Sequence, residues 1–175
     1  MGFGKAFLLS LVAFVGLNFI FTILDYLFSP DGFDALFSTI EAAPLMILYY
    51  LFGSIMSIPF YNLNWLVIDP LLYNNMDNLL LGLGYLIAPL VAAILAGHFG
   101  ESKLQCFSGW LLTAIVSSVV VIIGALLSQT FQDTLNTTYG WTSIETIIAF
   151  TALSCLINMV FYGFFALMIF KTEYY

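Results

Sequence analysis

Side chains with the chemistry for catalysis or metal binding are sparse in this sequence. Its cysteines, Cys106 and Cys155, lie far apart, and its one histidine is His98. Zinc sites and dithiol redox centres place cysteines within a few residues of each other, often as Cys-x-x-Cys. Because neither cysteine has such a neighbour, we interpret both as small apolar packing residues.

Two glutamates occupy matching positions in similar tetrapeptides, Ser-Thr-Ile-Glu at 38–41 and Thr-Ser-Ile-Glu at 142–145. A hydroxyl residue followed three positions later by Glu is typical of a capping box at a helix N-terminus. The helix dipole also favours a carboxylate there. We therefore interpret Ser38, Glu41, Thr142 and Glu145 as helix caps. The functional alternative is that Glu41 and Glu145 act as paired ion or proton ligands.

The composition indicates the surroundings in which these residues lie. Of the 175 residues, 62% are hydrophobic and 7% charged, and the mean hydropathy is +1.06. Soluble domains are about 45–50% apolar and about 25% charged. The apolar runs are continuous instead of alternating, which excludes transmembrane strands. We predict an all-α, multi-pass membrane protein with one helical domain over residues 1–175, surrounded by a lipid bilayer.

The charge balance excludes several partners. The net charge is -7, and the only basic residues are three lysines: Lys5, Lys103 and Lys171. Phosphate binding needs clustered Lys or Arg, so we exclude nucleic acid as a partner. The sequence also has no glycine-rich phosphate loop, Gly-x-Ser-x-Gly or His-Glu-x-x-His motif. We expect a protein that is not an enzyme, with no catalytic residue, metal or cofactor.

Five apolar stretches approach the length of about 20 residues that a helix needs to cross the bilayer. They are residues 5–27, 39–60, 79–98, 108–128 and 143–170. Four or six crossings stay open as alternatives. Residues 65–72 form a sixth crossing in one of them, and in another the second stretch is re-entrant because Pro44, Gly53 and Pro59 break it.

The order of these stretches predicts a weak internal repeat. Residues 5–60 and 103–170 each contain a lysine, an apolar stretch, a polar loop, a Glu-containing tetrapeptide and a second apolar stretch. With residues 79–98 between them, the two hairpins have inverted orientations. Secondary transporters frequently have this arrangement. The alternative is a chance likeness between two transmembrane hairpins.

Small residues recur every four positions in the third stretch, at Gly84, Ala88, Ala92 and Ala96. In lipid, such a stripe allows close backbone approach between helices. We predict that it is a helix-packing interface, either inside the bundle or against another subunit. Pro89 lies beside the stripe and is expected to bend this helix.

Polar residues inside the apolar stretches are few. Thr151, Ser154 and Asn158 follow helical spacing and share one face of the fifth stretch. We expect Asn18 of the first stretch to hydrogen-bond to this face across the bundle. We interpret these groups as polar contacts between helices, with a substrate pathway as the alternative.

Residues 136–138 (Asn-Thr-Thr) match the acceptor pattern for N-glycosylation, which predicts that Asn136 lies outside the cell. Lys103 and Lys171 are then inside, in agreement with the positive-inside rule. Five crossings place Lys5 outside, against the rule, and this conflict disappears with a sixth crossing at residues 65–72 or a re-entrant second stretch. We predict a multi-pass protein in the plasma membrane of a prokaryote.

Two functions agree with these observations. The first is a non-catalytic accessory or structural subunit of a larger membrane complex, which packs through the small-residue stripe against other subunits or itself. The alternative is a small membrane transporter or substrate-binding membrane component, which the inverted repeat and the proline-broken second stretch favour.

Overall fold

A computed structural model describes residues 2–29, 32–76 and 78–170. None of these residues lies in a strand. Four helices are long and apolar enough to cross a membrane: α1 (Gly2–Phe28), α6 (Leu79–Phe99), α7 (Lys103–Leu127) and α9 (Ile144–Ile169). Helices α2 (Gly32–Ala42) and α8 (Gln129–Tyr139) connect long elements. The predicted helical membrane fold is confirmed.

Residues 46–72 form a broken segment in place of the second predicted span. It consists of α3 (Met46–Phe52), a 3-10 turn (Gly53–Met56), α4 (Pro59–Leu63), a π-helical turn (Asn64–Ile68) and α5 (Asp69–Leu72). Two parts, Met46–Met56 and Pro59–Leu72, meet at 98° across the break at residues 57–58, and together they are apolar enough to count as a fifth span. The second predicted stretch, residues 39–60, is therefore not one continuous helix, and the alternative in which Pro44, Gly53 and Pro59 break it agrees with the structure. The prolines explain the breaks, since Pro44 lies between α2 and α3 and Pro59 begins α4.

The long helices pack into one bundle, in which α6 contacts α1, α7 and α9. Small residues allow the close approaches. Gly84 faces the side chain of Phe21 on α1, and Gly97 faces the backbone of Ala166 on α9. A side chain at either glycine would meet these atoms, so packing here requires glycine.

The predicted capping boxes need correction. Ser38 lies inside α2, where its hydroxyl donates to the carbonyl of Ala35, because the helix already begins at Gly32. The second box is shifted by one residue from the predicted Thr142. Ser143 is the cap of α9, its hydroxyl accepting the N–H of Thr146 while the Thr146 hydroxyl accepts the N–H of Ser143.

The two glutamates of these tetrapeptides are both exposed and do not close the boxes. Glu41 lies near the end of α2, and Glu145 lies in the first turn of α9. Glu145 still benefits from the positive end of the helix dipole.

Residues 129–141 were expected to form a polar loop, but most of them form α8. Ser128 caps this helix by accepting the N–H of Phe131, and Gly140 ends it in the left-handed conformation, with φ of 72°. Phe131 and Leu135 are buried, so one face of α8 is anchored in the bundle. Both α2 and α8 have 11 residues, and each follows a long helix. This agrees with the proposed repeat, which stays a hypothesis.

Candidate functional site

The most unusual backbone in the protein is the tip of the broken segment, residues 53–57. All five of these residues are buried. The side-chain amide of Asn158 donates to the carbonyls of Ile55, at 2.9 Å, and Ser57, at 3.0 Å. Non-helical backbone at membrane depth is tolerated where protein groups satisfy it or where it lines a cavity. Here the side-chain amide of Asn158 donates the hydrogen bonds that these two carbonyls need.

Asn158 lies close to the midpoint of α9, so the tip reaches the middle of the helical bundle. The Trp110 indole N–H donates to the backbone carbonyl of Asn158 at 3.2 Å, which ties α7 to the same point. The ring of Trp110 also packs edge-on against Tyr162, at 5.7 Å between centroids. Helices α7 and α9 therefore hold the tip in place together.

A second polar side chain, Asn62, is fully buried just beyond the tip. It accepts a hydrogen bond from the hydroxyl of Ser57 and donates to the carbonyl of Tyr85 on α6. The Tyr85 hydroxyl lies against Gly53, and a Cβ at that position would meet it. The tip is thus fixed from α6 as well as from α9.

Beside the tip lies a cleft of about 280 Å³ between the broken segment, the start of α9 and the end of α8. Its lining is mostly apolar and aromatic: Met56, Ser57, Ile58, Tyr61, Tyr139, Trp141, Phe150, Leu153, Ser154 and Ile157. Trp141 stacks between Tyr139, at 4.7 Å, and Phe150, at 5.7 Å. These three stacked rings form an aromatic wall along one side of the cleft, in which both faces of Trp141 are covered by its neighbours.

The mouth of the cleft faces outward from the bundle. Phe150, Leu153 and Ile157 all lie on α9 and line the cleft, yet each is exposed on the surface of this spanning helix. The outward face of a spanning helix contacts lipid. The cleft therefore opens sideways toward the bilayer.

Two hydroxyl groups of the cleft lining, those of Ser154 and Tyr139, have no hydrogen-bond partner among the described residues. Ser154 is 7% exposed and lines the cleft, and no described residue partners its hydroxyl. Ser57, the other lining serine, already donates to Asn62. The Tyr139 hydroxyl is buried without a hydrogen-bond partner among the described residues, and this burial raises the pKa of Tyr139 well above its ordinary value. Ser154 is thus the donor that a molecule in the cleft would meet.

Comparison of the chain with protein-family models, with curated proteins and with solved structures finds no match. The function must therefore be argued from the site itself. The length and hydropathy of its helices show that the chain is a multi-pass helical membrane protein.

The predicted interface residues lie inside the bundle. Gly84, Ala88, Ala92 and Ala96 are all buried, with the three alanines at 0% exposure. Because neighbouring helices of the same chain cover this stripe, it is not available for docking a second subunit. Pro89, beside it, is buried within a helix that continues on both sides.

The remaining sequence-predicted residues are scattered. Asn136 is exposed on α8, and His98 is exposed near the end of α6. Cys106 and Cys155 are free and buried. Among the described residues, no group of three His, Cys, Asp or Glu is placed to hold a metal.

The predicted polar face of α9 is buried as a unit, because Thr151, Ser154 and Asn158 are all inaccessible or nearly so. Asn18 does not join it. Its amide donates instead to the carbonyl of Phe14 within α1. Sequence reasoning missed Ser57 and Asn62, which lie in a stretch assigned to a span end and a loop. The signal that could have found them is the pair of prolines, Pro44 and Pro59, that allows a turn at depth.

A smaller cavity of about 220 Å³ lies between α1, α3 and the start of α6, lined by Thr22, Asp25, Tyr26, Ser29, Tyr49, Tyr50 and Leu81. Its carboxylate, Asp25, interacts with the backbone N–H of Leu81 in the first turn of α6. Because the N-cap residue of α6, Asn78, makes no side-chain cap hydrogen bond, we interpret Asp25 as a cap supplied by α1.

Proposed function

We propose that this protein is a substrate-binding membrane component, or a small transporter, that takes a lipid-soluble molecule into the cleft beside the tip. The observation that carries the proposal is the tip itself. A break between two helical parts, directly after a 3-10 turn, is held at the middle of the bundle by Asn158 and Asn62, against a cleft. Interrupted helices at membrane depth are typical of substrate sites in transporters.

The position of the cleft supports the same function. Ligand sites are concave, mostly apolar and equipped with a few polar groups that orient the ligand. The cleft has an aromatic wall, one serine hydroxyl without a partner and a mouth that faces lipid. A molecule dissolved in the bilayer therefore reaches it without crossing water.

The proposal requires binding and no bond-making chemistry. The cleft is lined by no charged residue and by neither cysteine nor histidine, so it offers hydrogen bonds and ring faces. We propose accordingly that the protein is not an enzyme, and that it resides in the plasma membrane of a prokaryote.

The accessory-subunit hypothesis depended on the small-residue stripe. Since that stripe is buried against helices of the same chain, it no longer supports docking to another subunit. We therefore prefer the ligand-binding function.

The test compares the small molecules that stay bound to the wild type and to two tryptophan variants. Each protein is extracted from its native membrane into polymer-bounded nanodiscs. Leu153→Trp places a large ring in the cleft, whereas Leu156→Trp adds the same ring on the exposed face one turn away. Mass spectrometry of the extracted small molecules should find one compound enriched in the wild type and in Leu156→Trp, and depleted in Leu153→Trp. Identical profiles for all three proteins would count against the proposal.

A further inference from the structure

We infer that the ligand of the cleft is a lipid-soluble molecule with a flat ring that carries a hydrogen-bond-accepting oxygen, such as a ring-bound carbonyl, and that Ser154 donates to this oxygen. This inference rests on the proposed function and specifies its substrate class. It follows from three properties of the cleft: its aromatic wall, the unpartnered hydroxyl of Ser154 and its mouth.

The wall favours a flat ring. Tyr139, Trp141 and Phe150 lie nearly parallel, with interplanar angles of 23° and 14°. Aromatic faces bind best to other flat π-systems in offset or edge arrangements, which are worth more than burial alone. An acyl chain would fill the space, but it would not use this geometry.

The free donor requires an acceptor. Serine hydroxyls inside helices commonly donate to the carbonyl four residues earlier, as Ser117 does to Thr113, at 2.7 Å. Ser154 makes no such bond, although only 7% of its surface is exposed. Its hydroxyl lines the apolar cleft, so a ligand oxygen at this position gains a hydrogen bond for which the lining offers little competition from water.

The lining limits the charge of the ligand. No charged side chain lines the cleft, so an ionic group would be buried there without a counter-charge. That is strongly unfavourable. The ligand oxygen is therefore neutral, as in a ketone, a quinone or an ester.

The depth of Ser154 places the oxygen away from the headgroups. Ser154 lies in the middle portion of α9, whereas Trp141 precedes the helix near its surface end. The ring and its oxygen thus extend from the interface inward along the wall. Entry through the lateral mouth is consistent with a molecule that partitions into lipid.

A matched pair of probes separates hydrogen bonding from shape. 2-Acetylnaphthalene carries a carbonyl oxygen, and 2-isopropenylnaphthalene replaces this oxygen by a methylene group of nearly the same shape. Binding of each probe to the protein in phosphatidylcholine nanodiscs is measured by equilibrium dialysis, with empty nanodiscs subtracted. We expect the carbonyl probe to bind about two- to tenfold more tightly, which is the effect of one net hydrogen bond.

Two serine variants assign the effect to one residue. Ser154→Ala should remove the preference between the probes, whereas Ser117→Ala, the same change at a buried serine outside the cleft, should keep it. Thermal unfolding of each variant in the same nanodiscs shows whether it is folded. The comparison of the two probes on the wild type stands even if Ser154→Ala does not fold.

The outcomes distinguish the two proposals. Equal affinity of the wild type for both probes would overturn the acceptor inference while leaving a shape-selective cleft. Binding of neither probe above the level of empty nanodiscs would overturn both the inference and the proposed function. A preference that persists in Ser154→Ala would show that another donor recognises the oxygen, and the assignment to Ser154 would be wrong.

Discussion

The side-chain amide of Asn62 donates a hydrogen bond to the backbone carbonyl of Tyr85, at 3.3 Å. In a regular helix this carbonyl would accept the N–H of the residue four positions later, which here is Pro89 and has none. Asn62 therefore supplies the donor that α6 lacks. The broken segment thus docks on α6 where Pro89 leaves a backbone carbonyl without its intrahelical donor.

Replacing Asn62 by leucine should lower the free energy of unfolding by about 1–3 kcal/mol, because the Tyr85 carbonyl then lies buried without a donor. In a Pro89→Ala background, the helix regains its own N–H, and the same substitution should cost less. Thermal unfolding in detergent of the four proteins of this double-mutant cycle measures the coupling. An equal loss in both backgrounds would refute the relationship between Asn62 and Pro89.

Asn158→Leu should destabilise the protein by about 2 kcal/mol or more, since the carbonyls of Ile55 and Ser57 both lose their donor. Asn18→Leu is the matched control. Asn18 donates only to Phe14 in its own helix, so its replacement should change the melting temperature little. Comparable losses for the two variants would contradict the special role of Asn158.

Ala92→Leu should destabilise the bundle by about 1–3 kcal/mol, because the added atoms have no space in a closely packed core. Val91→Leu, at a half-buried neighbouring position, should change the free energy of unfolding little. The mass of the detergent-solubilised particle should stay the same in both, since the stripe lies within one chain. A smaller particle for Ala92→Leu with unchanged thermal stability would instead support the hypothesis that the stripe contacts another subunit.

Two glycine-to-alanine substitutions should change the melting temperature in opposite directions. Gly97→Ala places a methyl group against the backbone of Ala166 and should lower the melting temperature, whereas Gly16→Ala on α1 meets no atom within 4 Å. An exposed helical Gly→Ala change stabilises by roughly 0.5–1 kcal/mol. Thermal unfolding of the two variants decides whether α6 and α9 approach as closely as the structure shows.

The ends of α7 should be accessible from opposite sides of the membrane. Lys103 and Thr137 are both exposed, and α7 lies between them. Thr137→Cys should react with an impermeant maleimide on intact cells, and Lys103→Cys should react only after permeabilisation. The native cysteines are buried and give a low background. Reaction of both positions from one side would show that α7 does not cross the bilayer.

The long helices were predictable because hydrophobic length alone defines them. The structure has continuous helices at four of the five predicted stretches, although α7 begins at Lys103, five residues earlier than residue 108. Local chemistry was less decisive at helix ends. Thr142 and Ser143 are adjacent and both able to cap, so only the start of α9 decides which of them does.

The cleft was only partly predictable. Helical periodicity placed Ser154 and Asn158 on one buried face, as found. Their partners could not be derived, because Asn158 binds backbone carbonyls more than 100 residues earlier, at Ile55 and Ser57. Such pairing depends on how the broken segment docks against α6 and α9, and no local pattern encodes that docking.

The dependence of the tip on Asn158 also constrains how the chain is made. Ile55 and Asn158 are 103 positions apart, so at 5–20 residues per second the ribosome needs roughly 5–20 s to supply the donor. Throughout that interval the turn has unsatisfied carbonyls that lipid cannot hydrate. We therefore expect the broken segment to stay outside the hydrocarbon until α9 arrives, so that the later helix carrying Asn158 completes the insertion of residues 46–72.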